Sequence, residues 1–492
     1  MSSVQEKATP RDLRYVIIGA GMAGILAAIK LLGAGIRNVS VYEKADRIGG
    51  TWRENTYPGL TCDVPSHSYT YTFEPNPNWT RQLPPGAEIQ AYFEHTCAKY
   101  GVFELIRFNE EITRCDFKQG QWHLESAAGP GDVADIVIAA TGVLHHPNTP
   151  VIAGAEDFSG HVFHTARWDH AVPLEGKRVA VIGNGSTGVQ IVSALAGKVA
   201  KVSHFQRTPQ WIMPVENLYF SEQERASFQS DRALLLRIRN DPQYLANVER
   251  FTIAVANPDS PEMAEIEAAV LANLESSVPD PVLREKLRPT YRAACKRLIF
   301  SPDYYQAIQH PGAELVTSEI ERIESDGIRT RDGCLHAADV IAMATGFDAG
   351  MFMRPMTMTG RGGITLEQAW EARPTAYMAI SIPEFPNFFM LNGPNGPVGN
   401  FSLIDIAELQ WGYIWQLIEK VRAGECNEIC ATQAALDQFD ADRLAAAKTT
   451  VFGSGCNSWY LDKEGIPATW PWDYNRFEEV MAQPDLDAYE LG

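Results

Sequence analysis

Two glycine signatures of the same form, both in the first half of the chain, fix what this sequence can fold into. Gly19-Ala-Gly21-Met-Ala-Gly24 and Gly183-Asn-Gly185-Ser186-Thr187-Gly188 both read Gly-x-Gly-x-x-Gly. Each lies between an apolar run with strand character and an amphipathic run with helix character: 14–18, 22–32 and a second strand at 38–43, then 177–182, 186–195 and 201–206. In such a turn the first glycine allows the tight bend, the second lets a pyrophosphate approach the backbone, and the third lets helix pack on strand. The helix start then offers unpaired N–H groups and a positive dipole end to an anion. Two further stretches, 134–142 and 338–346, both end in Ala-Thr-Gly. The expected fold class is therefore α/β, with two Rossmann-like dinucleotide-binding domains.

The remaining chain must be accommodated around that doubled unit. At 492 residues it exceeds what one hydrophobic core supports. Between 216 and 289 strand signals vanish, and Glu, Arg, Ala and Leu dominate around breaks at Pro242, Pro258, Pro261, Pro279 and Pro281, which predicts a helical insertion. The expected partition is a discontinuous first unit (1–148 and 346–492), a discontinuous second unit (155–212 and 292–342) and the insertion 216–289. Residues 392–401 form a Gly/Pro-rich loop ahead of an apolar helix starting near Leu403.

Charge and cysteine usage exclude several classes. A net charge of −19 argues against binding a nucleic-acid backbone, so any anionic cofactor has to meet locally placed cations. The eight cysteines (62, 97, 115, 295, 334, 426, 430, 456) are scattered, and the one close pair, Cys426 and Cys430, has no histidine beside it, so no metal site is expected. Reduced thiols and a cytoplasmic location fit that pattern. The N-terminus carries no signal-peptide pattern. The apolar stretch 15–36 is interrupted by glycines and Lys30, so no membrane span is expected.

The two glycine sites differ in the residue that follows them. Glu43 lies 24 residues after Gly19, where a carboxylate accepts from both ribose hydroxyls of a cofactor such as FAD. At the same offset from Gly183 stands Arg207, followed by Thr208, and a guanidinium there suits the 2′-phosphate of NADPH. An exposed surface charge is the competing reading of Arg207.

Two longer motifs carry a family resemblance. Phe158-Ser-Gly160-His-Val-Phe-His164-Thr-Ala-Arg-Trp168-Asp169 matches the pattern F-x-G-x-x-x-H-x-x-x-W followed by Pro or Asp. Gly49-Gly50-Thr51-Trp52-Arg-Glu-Asn-Thr-Tyr57-Pro58-Gly59-Leu-Thr-Cys-Asp63 matches [AG]-G-x-W-x4-[FY]-P-[GM]-x3-D. With both, the chain resembles the type I Baeyer–Villiger monooxygenases from about residue 12 onward. The resemblance implies that NADPH reduces FAD, that O2 then forms a C4a-peroxyflavin, and that a ketone is converted to an ester or lactone. It implies catalytic roles for Arg297, which would stabilise the peroxyanion, and for Asp63, which would hold that guanidinium; a purely structural ion pair is the alternative. Lys296 is expected at the 2′-phosphate, and Gly50, Thr51, Trp52, Asp63 and Tyr69 near the cofactors. His164 and Trp168 are expected in the connection between the cofactor domains, coupling domain rotation to NADP position; a buried linker histidine and a core tryptophan serve equally. Trp459 in Cys456-Asn-Ser-Trp459-Tyr460 is expected at the substrate pocket, against ordinary packing.

Three rival readings remain beside it: an S- or N-oxygenating flavin monooxygenase, an NADPH oxidase, and a non-catalytic flavin-binding redox sensor. A disulfide reductase is rejected, since it needs a close cysteine pair in the FAD half and Cys62 has no second cysteine near it in the sequence. The motifs say nothing of which ketone is used or of oligomeric state.

Overall fold

The strand Tyr15–Ile18 is apolar and buried at every position, the pattern of a strand covered on both faces of a parallel sheet. A computed structural model, describing residues 10–129, 131–397, 402–456, 458, 460–462 and 464–492, places it at the centre of such a sheet. The five strands run parallel in the order Phe388–Met390, Ile136–Ala139, Tyr15–Ile18, Val39–Glu43, Ile106–Phe108. A second five-stranded parallel sheet repeats the plan in the order Ala313–Val316, Lys201–Phe205, Arg178–Ile182, Val340–Met343, His161–His164. Helices Met22–Gly33 and Ser186–Leu195 follow the two central strands, within a residue or two of the sequence expectation. The chain has the mixed α/β class that the sequence implies.

The two sheets differ at one edge. The strand beyond Ile136–Ala139 comes from far downstream, whereas the one beyond Val340–Met343 is His161–His164, from upstream. The Phe158–Trp168 motif therefore begins as a sheet edge and not as a free connection.

Each nucleotide unit also carries a small antiparallel layer that the sequence reading did not foresee. Ile112–Lys118, Gln121–Ser126 and Asp132–Ala134 pair antiparallel, joined by Thr357–Thr359, and lead into Ile136–Ala139. Ile320–Glu324, Gly327–Thr330 and Leu335–Ala337 do the same before Val340–Met343.

The insertion is helical. Its helices are Glu222–Ser230, Arg232–Arg239, Pro242–Ala256, Pro261–Ser277 and Pro281–Leu287. Three of the five proline breaks turn out to be helix starts. Pro242, Pro261 and Pro281 each occupy the first helical position behind an Asp241, Ser260 or Asp280 cap whose side chain accepts a backbone N–H. Pro242–Ala256 packs on Tyr474–Ala482 and Val451–Ser454, and Pro261–Ser277 packs on Ile212–Met213, so the insertion touches both halves.

One cysteine expectation is overturned. Cys295 and Cys456 form a disulfide across 161 residues, while Cys62, Cys97, Cys115, Cys334, Cys426 and Cys430 are free. The pairing is invisible in the sequence because 161 residues separate the two cysteines and only tertiary packing brings the sulfurs together. Among the described residues no helix is long and apolar enough to cross a membrane, and no cluster could hold a metal ion.

The units are joined by two crossovers that run side by side. Asn148 N–H donates to Gly346 O at 2.9 Å, Asp348 N–H to His146 O at 2.9 Å, and Thr345 Oγ1 to Asn148 O at 2.5 Å. His164 fastens its sheet edge to the same place, with Nε2 at 3.0 Å from Gly346 O and Nδ1 accepting from Ala166 N–H at 3.1 Å. This assigns the proton to Nε2.

Candidate functional site

Both glycine turns open into one cavity of about 2120 Å³. That is roughly twice the upper size of an ordinary small-molecule site, the room that two dinucleotides and a substrate need. The first turn is built for close approach. Gly19 has φ +102°, and a Cβ there would lie 2.5 Å from Ala140 O; a Cβ on Gly24 would lie 1.9 Å from Gly19 O. Gly21 faces Gly50 (φ +54°) with no side chain between them, and no side chain caps the helix that begins at Met22. The uncapped N–H groups and the bare channel fit a pyrophosphate.

Glu43 ends its strand with Oε2 accepting from Ala20 N–H at 2.8 Å, and Oε1 accepting from Ala45 N–H at 2.9 Å and Arg53 Nη1 at 3.0 Å. Oε2 keeps one lone pair, enough for one ribose hydroxyl where the sequence reading allotted two. Thr51 lines the cavity, and Trp52 Nε1 donates to Tyr69 Oη at 2.9 Å, with the rings edge-on at 5.5 Å. Tyr69 is buried, and burial raises its pKa well above the ordinary phenol value.

The second turn follows the same logic. A Cβ on Gly183 (φ +108°) would lie 2.3 Å from Ala344 O, and one on Gly188 would lie 2.0 Å from Gly183 O. Gly185 faces open space, and no side chain caps the helix starting at Ser186. Asn184 Nδ2 donates to Thr208 O at 2.7 Å and so holds the loop that carries Arg207. Arg207 is exposed at the cavity rim, Lys296 is half-buried over the Tyr291 ring at 4.8 Å, and among the described residues neither has a carboxylate partner. Burial, then the charge of Arg207, lowers the Lys296 pKa. Two neighbouring cations left unneutralised in a chain of net charge −19 fit a phosphate.

Between the turns Arg297 is ion-paired with Asp63 and hydrogen-bonded to Tyr460, and all three line the cavity. Burial works against the charge on Arg297, but Asp63 and Tyr460 outweigh it and leave the guanidinium more basic than usual.

Residues that the sequence reading did not single out complete the site. Tyr57 Oη donates to Gln190 Oε1 at 2.9 Å, and Gln190 Nε2 donates to Thr61 O at 3.0 Å. A Cβ on Gly59 would lie 2.6 Å from Gln190 O, so the Tyr-Pro-Gly turn is where the first unit seats against the second unit's helix. Among the described residues, Asn392 Oδ1, Ser402 Oγ and Thr469 Oγ1, on residues that line the cavity, have no protein partner. Partnerless polar atoms beside a cavity are what a bound polar ring system would satisfy. His164 and Trp168 do not line the cavity; Trp168 is buried, edge-on to Phe163 at 4.9 Å in the core of the second unit. Trp459 lies outside the described residues, as do 398–401 of the Gly/Pro-rich loop.

Comparison with known proteins agrees with this geometry. A family model described as pyridine nucleotide-disulphide oxidoreductase matches residues 16–221. An uncharacterized monooxygenase of Mycobacterium tuberculosis is 46% identical over 486 residues, covering 98% of this chain and 97% of that one. A Baeyer–Villiger monooxygenase of Streptomyces coelicolor is 35% identical over 484 residues, covering 97% and 92%. The crystal structure of a Rhodococcus cyclohexanone monooxygenase bound to NADP+ superposes with a TM-score of 0.86 at 28% identity, covering 97% of this chain and 99% of that one. A relationship that runs nearly end to end, on a fold whose two glycine turns share one cavity with a paired arginine, places the chain in the Baeyer–Villiger monooxygenase family.

Proposed function

We propose that the protein is an FAD-containing, NADPH- and O2-dependent monooxygenase that converts ketones to esters or lactones. The observation that carries this reading is Arg297, held by Asp63 and Tyr460 in the wall of the cavity onto which both nucleotide turns open. Bound FAD supplies oxygen activation, and NADPH supplies the reducing equivalents.

The chain's own residues have four tasks. Gly19, Gly21 and Gly24 admit the FAD pyrophosphate, and Glu43 Oε2 accepts a ribose hydroxyl. Gly183, Gly185, Ser186, Thr187 and Gly188 admit that of NADPH, while Arg207, Thr208 and Lys296 take its 2′-phosphate. Arg297 places a fixed positive charge where negative charge develops on oxygen during addition to a carbonyl, so no reorganisation is required at that moment. Val64, Val248, Phe251 and Ile406 are among the apolar residues that line the cavity, and excluding water there strengthens the electrostatic contribution.

The test is NADPH consumption with product mass analysis over cyclic, linear, aryl and steroidal ketones. An ester or lactone from at least one class is expected. Arg297→Ala should lower ester formation by at least about a hundredfold, the usual weight of one preorganised charge, while NADPH still bleaches the flavin. Ester formation undiminished in that variant would remove the assignment.

A further inference from the structure

We infer that Tyr460 is a positioning residue for Arg297, and that the Cys295–Cys456 cross-link sets its place. The inference rests on the proposed reaction. Cys295 is two residues before Arg297, and Cys456 is four before Tyr460, so one covalent tie brackets both members of the Arg297–Tyr460 hydrogen bond. The tie is enclosed in an apolar cluster with Val255, Met263, Val451 and Phe452, which joins the insertion to the late segment. Cys295 is fully buried, Cys456 and Tyr460 nearly so, and the Phe452 and Tyr460 rings lie 5.0 Å apart. The Tyr460 backbone is anchored as well, its carbonyl accepting from Ala468 N–H at 2.8 Å.

The two partners of Arg297 do different work. A guanidinium has only donors, so in its bond to Tyr460 the arginine N–H donates and the phenol oxygen accepts. Asp63 neutralises charge and approaches from the first unit; Tyr460 adds a neutral acceptor from the opposite end of the chain. A cation held by one carboxylate can swing about it, whereas a second acceptor of separate origin restricts the plane of the guanidinium without lowering its charge. Burial raises the Tyr460 pKa above the ordinary phenol value, so the acceptor stays neutral. Reduction of the cross-link by a dithiol would leave two protein thiols and a cyclic disulfide. Val451, Phe452 and Tyr460 would then be held by their packing on Val255 and Met263 and by the bond to Arg297, with no covalent tie.

The experiment uses the FAD-loaded full-length enzyme with a ketone that gives ester. Tyr460→Phe is expected to lower kcat for ester formation about tenfold or more, with KM and flavin reduction by NADPH within about twofold and peroxide release per NADPH rising. Cys456→Ser, and wild type treated with dithiothreitol until mass shows two new thiols, should move the same way to a smaller extent. Dithiothreitol should not affect Cys456→Ser. The double variant Tyr460→Phe/Cys456→Ser should lose less than the product of the single losses, since both act through one guanidinium. Full coupling in Tyr460→Phe, or strictly multiplicative losses in the double variant, overturns the inference. If Cys456→Ser does not fold, the dithiothreitol arm on folded wild type decides the cross-link's part. If no ketone gives ester, the functional reading fails on its own. The inference is then judged by amide hydrogen exchange, which should rise at 294–298 and 451–462 on reduction and at 296–298 in Tyr460→Phe; unchanged exchange rejects it.

Discussion

Lys296 is a cation held where both its burial and its neighbour Arg207 discourage the charge. Its pKa is lowered, so in the free enzyme the ammonium loses its proton at a lower pH than an ordinary lysine. A 2′-phosphate dianion binds the charged form. NADPH affinity should therefore fall as pH rises through that lowered pKa, and Lys296→Arg should remove the fall. Lys296→Met should weaken NADPH about 10- to 100-fold, the equivalent of about 1.5–3 kcal/mol for a charged hydrogen bond, with little change for NADH. Titration of both nucleotides from pH 7 to pH 9.5 checks this. Arg207 was legible because it stands at the same offset from Gly183 as Glu43 does from Gly19. Lys296, Asp63 and Arg297 were reached through the resemblance, which also quoted Tyr460 in the pocket segment beside Trp459, but nothing in a sequence tells which phenol will face a guanidinium 163 residues earlier. For Glu43, competing N–H and Arg53 donors were equally hidden.

At the scale of elements, the strand Lys201–Phe205 supports the second glycine turn from below through His204. This side chain is fully buried, with Nε2 at 3.1 Å from Gly183 O and Nδ1 at 3.1 Å from Tyr304 Oη. The tautomer that satisfies both is Nε2–H donating to the carbonyl while Nδ1 accepts the phenol proton. Burial lowers its pKa to about 4. The folded value lies below the unfolded one, so the stability it contributes is present above about pH 6.5 and is lost as pH falls through about 4, on the order of 3 kcal/mol in full. Urea unfolding at pH 7 and pH 4.5 should show His204→Gln losing less stability than wild type over that interval. The strand–turn–helix–strand units were legible almost to the residue, because buried parallel strands are uniformly apolar and bounded by glycine. The antiparallel layers were not. Ile112–Lys118 alternates imperfectly between buried and exposed and carries a register shift between Ile112 and Arg114, so it offers neither a clean period of two nor an apolar run.

Over the whole molecule, both nucleotide units line one cavity, and the chain passes between them at a waist where 146–148 and 345–348 run side by side. His164 is the only side chain of the Phe158–Trp168 motif with a hydrogen bond to that waist among the described residues. His164→Ala removes a bond worth about 1 kcal/mol and should leave both cofactors bound while more NADPH is spent on peroxide. The peroxide-to-ester ratio, with hydrogen exchange at 145–148 and 345–348, measures it. An unaltered ratio would limit His164 to packing.

The waist has a consequence for how the molecule is divided. Because Asn148 and Gly346 are hydrogen-bonded neighbours, everything between them leaves and re-enters the first unit at one point, as a guest domain does in its host. The host should therefore survive without its guest. A chain in which a short Gly-Ser bridge replaces 149–345, with the newly bared apolar faces made polar, should fold, turn yellow with FAD and be reduced by dithionite but not by NADPH. Such a half-molecule would be a minimal flavin carrier, open to a different electron donor grafted where the guest used to enter.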